Sequence, residues 1–215
     1  TGVLHNWSGR NTEGYPTITA MFAANNAPEQ PLSYLNFGGY SQTANLIRYS
    51  RLNGGAGLDF LLDPAYLFGR PPLSTEVNLT NIREFRKNKT QEMMSDATLM
   101  NRQKGNLQAY NLALSGQDNL KKFLDYVPDD NELEGGITLA NKRFSDLRDQ
   151  VRFAAAAFQS GLTSAVDLYE SGFDSHNDND SQQTSMLSHV TDAVQLFWQQ
   201  AEERGVADRV TMVIG

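Results

Sequence analysis

The chain has 215 residues, 40% of them apolar and 10% aromatic, which is enough to bury a real core, as one large domain or one and a half ordinary ones. Its 18 lysines and arginines against 25 acids leave a net charge of −7, which argues against a broad nucleic-acid footprint. Cysteine is absent, which excludes disulfides, thiolate metal sites and a cysteine nucleophile, and no apolar run approaches the roughly 18–20 residues of a membrane helix.

The first fifteen residues read as loop, punctuated by Gly2, Asn6, Gly9, Asn11 and Gly14, with Trp7 as the anchor. Pro16 suits the first position of a short helix over 17–24, because its missing N–H would be unpaired there. Leu32-Ser33-Tyr34-Leu35-Asn36-Phe37 alternates with period two and stops at Gly38-Gly39, a strand signal. Leu46 to Tyr49 is briefly extended, and Asn53-Gly54-Gly55 forms a turn that matches neither dinucleotide nor P-loop spacing. Residues 58–68 read as a helical turn broken at Pro64, followed by the rigid Arg70-Pro71-Pro72 connector.

From 79 to 127 the pattern is helical, polar and interrupted, and two or three helices are expected. Its methionines, Met93, Met94 and Met100, suit adaptable core filling. Residues 128–136 form an acidic loop. A helix over 139–160 follows, with Phe144, Leu147, Val151 and Phe158 on one stripe and Gly161 at its C-terminal cap.

The last fifty residues read as a βαβ unit. Strand 164–169 leads into the loop Gly172-Phe173-Asp174-Ser175-His176-Asn177-Asp178-Asn179-Asp180. A long amphipathic helix runs from a cap at Asp180 or Ser181 to Gly205, and Val210-Thr211-Met212-Val213-Ile214 re-enters the sheet. In open α/β sheets ligands bind where strands end at their carboxyl edge, which puts this loop at the expected place. His5 has no evident partner, and His189 lies beside the helix's apolar stripe, in a packed or surface role. His176 stands two residues after Asp174 and two before Asp178, so acid, imidazole and acid can converge on one divalent cation such as zinc, manganese or iron. A calcium loop is not matched, since its sixth position is Asn179 and its twelfth is Ser185. A capped polar loop is the alternative, because acids at a helix N-terminus are favoured by its dipole.

The segment Gly172-Phe173-Asp174-Ser175-His176, the long helix, and Arg204-Gly205-Val206-Ala207-Asp208-Arg209-Val210 with the apolar strand after it resemble the bacterial family of domain of unknown function 1501. That family is similar to the sulfatase and alkaline-phosphatase superfamily. The resemblance implies an α/β fold, part of an alkaline-phosphatase/sulfatase-like sheet with flanking helices. Residues 1–215 would be an internal fragment of that single domain, with 73–136 as a helical insertion or cap. It further implies Asp174 and His176 as metal ligands, Asn177 and Asp178 as secondary site residues, and a divalent metal as cofactor. A phosphate or sulfate ester would be the substrate, and the location would be periplasmic or secreted. Ser175 replaces the family's usual threonine. The alternative is a non-catalytic structural or partner-binding protein that keeps the fold with a degenerate metal site.

Overall fold

A computed structural model describes residues 15–52, 74–123, 125–128, 146–174 and 178–214. In chain order these residues form α1 (Ile18–Asn26), β1 (Tyr34–Asn36), β2 (Tyr49–Arg51), α2 (Glu76–Met94) and α3 (Asn101–Phe123). They continue as α4 (Leu147–Gln159), β3 (Ala165–Asp167), α5 (Asn179–Glu203) and a single 3-10 turn, Ala207–Arg209. The class is mixed α/β. The three strands form a parallel sheet in the order β2-β1-β3, with Tyr34 facing Tyr49 on one side and Ala165 on the other.

The central strand differs from the period-two reading of its sequence. Residues Tyr34, Leu35 and Asn36 are all buried, because helices cover both faces of the sheet. On one face α1 lays Ala20 and Ala23 against Tyr34 and Ala165. Two small side chains allow the helix to approach closely. On the other face Leu35, Phe37 and Leu52 meet Phe153 and Ala157 of α4 and Phe123 at the end of α3. The Phe153 ring is edge-on to both Phe37, at 6.0 Å, and Phe123, at 5.2 Å, the arrangement that the ring quadrupole favours.

Helix α1 begins one residue later than the proline position suggests. Thr17 is its cap, taking the Ala20 N–H on its side-chain oxygen, so Pro16 precedes the helix. The expected helical region after residue 79 is two helices, α2 and α3, packed on each other across a turn in which Asp96 accepts the N–H and hydroxyl of Thr98. Gly116 does not interrupt α3; it gives the room that Pro31 needs, since a Cβ there would stand 3.3 Å from the proline ring. Phe123 ties this pair of helices to the core, whereas Val77, Ile82, Phe85, Met93 and Met100 remain exposed.

In α4, a run of alanines from 154 to 157 is fully buried, and Gly161 follows the helix at φ +69°, the left-handed position expected of it. Helix α5 packs against α4 through Ala193, Phe197 and Ala201, with Val151 and Leu147 opposite. It starts earlier than its sequence suggests, at Asn179. The expected closing strand is the main difference. Residues 210–214 are not assigned to the sheet, and Val213 is 83% exposed. The expected turn, helical turn and proline connector between 53 and 73, and the acidic loop between 129 and 136, lie outside the described residues.

Candidate functional site

The carboxyl ends of the three strands align in one register row, Arg51, Asn36 and Asp167. Asn36 and Asp167 share the face covered by α1, and a buried polar cluster forms there. The Tyr34 hydroxyl donates to Asp167 Oδ2 at 2.5 Å, and the Thr19 hydroxyl donates to Asp167 Oδ1 at the same distance. Tyr34 in turn accepts from the Thr17 hydroxyl at 3.3 Å and from Asn36 Nδ2 at 3.5 Å. The Asn36 side-chain oxygen is buried with no hydrogen-bond partner among the described residues. Burial first, then the hydrogen bond to Asp167, push the Tyr34 phenol well above the usual tyrosine range. Tyr34 therefore acts as a neutral donor at any physiological pH, and Asp167 is a carboxylate held by two hydroxyls at the N-terminal end of α1.

Beyond β3 the chain is clamped before it reaches the expected metal loop. The buried Gln150 side chain accepts the Tyr169 N–H at 2.8 Å and donates to the Tyr169 carbonyl at 2.9 Å. The Tyr169 ring then lies on Gly38 and Gly39. A Cβ at Gly38 would fall 2.6 Å from the ring, and Gly39 has φ +70°, so both positions call for glycine. Gly172 turns at φ +103°, and the Phe173 carbonyl is held by Gln183 Nε2 at 2.6 Å.

Asp174 is exposed at the end of this ordered path. His176 and Asn177 lie outside the described residues, so the expected Asp174–His176 pair has one member with a described position. Asp178 is the N-cap residue of α5 by position, at φ +49°, and its carboxylate makes no capping hydrogen bond. Asp178 at the N-cap and Asp180 in the first turn both stand where the helix dipole favours an acid, as the capped-loop alternative expects, although Asp178 adds no capping hydrogen bond. Among the described residues no three His, Asp or Glu side chains gather as a metal-holding group.

His189 is a bridging residue as well as a partly packed one. Its Nε2 is 3.7 Å from Asp146 Oδ1 and its Nδ1 is 3.7 Å from Glu170 Oε2. It thereby links α5 to the start of α4 and to the segment after β3. It also lines an open cleft of about 780 Å³ with Asp180, Ser181, Thr184, Ser185, Ser188 and Asp192.

Sequence reasoning missed the Thr19–Tyr34–Asp167 cluster. The available signal was a polar residue ending each of two apolar strands, Asn36 and Asp167, since such residues at the carboxyl edge of a parallel sheet sit where ligands and polar networks collect. No family model, curated protein or solved structure matches this chain.

Proposed function

We propose that this chain belongs to an exported, metal-dependent hydrolase-like protein acting on phosphate or sulfate esters, of the alkaline-phosphatase/sulfatase type that the Asp174-Ser175-His176 segment resembles. Asp174 and His176 are the metal ligands, Asn177 and Asp178 stand beside them, and the bound divalent ion would polarise the ester oxygens. The observation that carries this reading is the course of the chain. A parallel strand ending at Asp167 leads through a segment clamped by Gln150 to an exposed Asp174. Asp178, four residues on, keeps a carboxylate that no cap consumes. Such a loop fits a hard or borderline cation with oxygen and imidazole ligands. The test is elemental analysis of the full-length protein as wild type, Asp174→Ala and His176→Ala, together with hydrolysis of nitrophenyl phosphate and nitrophenyl sulfate. Loss of metal and of hydrolysis in both variants is expected. Metal content unchanged in both would refute the ligand assignment.

A second reading rests on its own observation. Val77, Ile82, Phe85, Met93 and Met100 of the α2–α3 region are exposed, more apolar surface than two solvated helices need. It favours a non-catalytic, partner-binding protein with this pair of helices as its contact surface. Hydrolysis absent from a metal-loaded wild type would leave this reading in place.

A further inference from the structure

Helix α1 carries apolar side chains on two opposite sides, and only one side is covered. Ala20 and Ala23 face the sheet against Tyr34 and Ala165, and the cap residue Thr17 is buried as well. With about 3.6 residues per turn, Ile18, Met21 and Phe22 stand together on the side turned away from the sheet. They are 66%, 44% and 53% exposed. Asn25 and Asn26, both exposed, continue that side to the helix end, where the Asn26 amide donates to the Phe22 carbonyl at 2.9 Å. A helix that is apolar on both of its sides is normally enclosed on both.

Charge narrows what can cover the outer side. From Gly14 to Pro28 the sequence has no charged side chain, and the residues that flank this stretch, Glu13 and Glu29, are acids. An anionic lipid surface calls for lysine or arginine beside the apolar residues, which this stretch lacks in a chain of net charge −7. A charged protein partner would find no opposite charge on the helix to pair with. A second copy of the same patch meets neither obstacle. An uncharged apolar surface is complementary to itself, and a two-fold axis is the operator that lays one surface on its own copy. The patch is also held in place beforehand, since the Thr17 N–H donates to the Gln42 carbonyl at 2.9 Å and the Thr19 hydroxyl donates to Asp167. Association therefore orders little backbone.

We propose that two copies of the chain associate through α1, with the two helices antiparallel across a two-fold axis level with Ala20. Ile18 of each copy then meets Phe22 of the other, and both Met21 side chains lie beside the axis, where an unbranched thioether fills irregular space. Three large side chains, each about half exposed, offer an apolar centre of about 300 Å² a side. An interface built on that centre is weak and reversible, not obligate. The net charge of −7 on each copy opposes the encounter, so salt strengthens the association by screening that repulsion. Neither this dimer nor the proposed hydrolase function depends on the other.

Sedimentation equilibrium of the full chain tests it. Expected is a monomer–dimer equilibrium with a dissociation constant of about 10–500 μM, the scale of a small interface. Raising the salt from about 0.02 to about 0.5 M should tighten it at least about threefold. Ile18→Asp and Phe22→Asp, both at exposed positions, should each leave a monomer at every concentration, with the circular dichroism and urea midpoint of the wild type. Because the chain has no cysteine, Met21→Cys supplies a single thiol beside the axis. Under a mild oxidant it should form the intermolecular disulfide at least about 10-fold faster than Val77→Cys on α2, a position 69% exposed. A wild type that stays monomeric throughout that range overturns the proposal, as does a dimer that survives both aspartate variants. Association weakened by salt, or equal cross-linking of the two cysteine variants, overturns it too, since the contact would then lie elsewhere.

Discussion

Removing the Asp167 carboxylate should cost more than any other single polar change at the sheet's carboxyl edge. Asp167 accepts two short hydrogen bonds, from Tyr34 and Thr19, and a hydrogen bond to an ionised acceptor contributes about 1.5–3 kcal/mol. Asp167 is only partly buried, so water can replace some of this. The lower end of the range applies, and Asp167→Ala should destabilise by about 3 kcal/mol. Tyr34→Phe removes one of the two bonds and should cost about 2 kcal/mol. The double variant loses the shared bond once, so a double-mutant cycle should return a coupling of about 1.5–2 kcal/mol. Urea denaturation of the four proteins, with unchanged m-values, gives all the required free energies. Additivity within about 0.5 kcal/mol would refute the reasoning, because the Tyr34–Asp167 bond would then carry no stability of its own.

Two other predictions concern the same region. The Tyr34 phenol is raised in the fold by burial and by Asp167, so its contribution is complete below the unfolded tyrosine value of about 10 and is lost as pH rises above it. Stability should fall above pH ~10 by up to about 1.4 kcal/mol per pH unit from this group. Comparing urea midpoints of wild type and Tyr34→Phe from pH 8 to 11 should show the two converging. Gly38→Ala should destabilise by about 1–3 kcal/mol through overpacking, since the new Cβ meets the Tyr169 ring at 2.6 and 2.8 Å and its Cβ at 2.9 Å. In a Tyr169→Gly background, which removes the Cβ at 2.9 Å as well as the ring, the same substitution should cost less than about 0.5 kcal/mol, read from thermal midpoints.

The helices of the second half were legible because their period is written in side chains three and four apart. The stripe of Val151, Phe158, Ala193, Phe197 and Ala201 is the stripe that packs. The strand read over 164–169, found as Ala165–Asp167, was legible as a short β segment after a capped helix, and Gly161 and Gly205 marked helix ends where the backbone turns left-handed. The Asp174 loop was legible as a polar segment after a strand. What it holds was legible only through resemblance, since ligands converge by folding and not by spacing alone.

The sequence by itself determined the helices, the strands β1 and β3, the mixed α/β class and the position of the polar loop after β3, because these depend on local periodicity, turn chemistry and caps, but it also suggested a closing strand over 210–214 that is not in the sheet. Tertiary structure decided the rest. It buried both faces of β1, since coverage by α1 and α4 is not a property of six residues. It set Gln150 against the Tyr169 backbone, and it joined Thr19, Tyr34 and Asp167 across 148 positions of sequence into one cluster. It also left residues 210–214 outside the sheet, with Val213 in solvent.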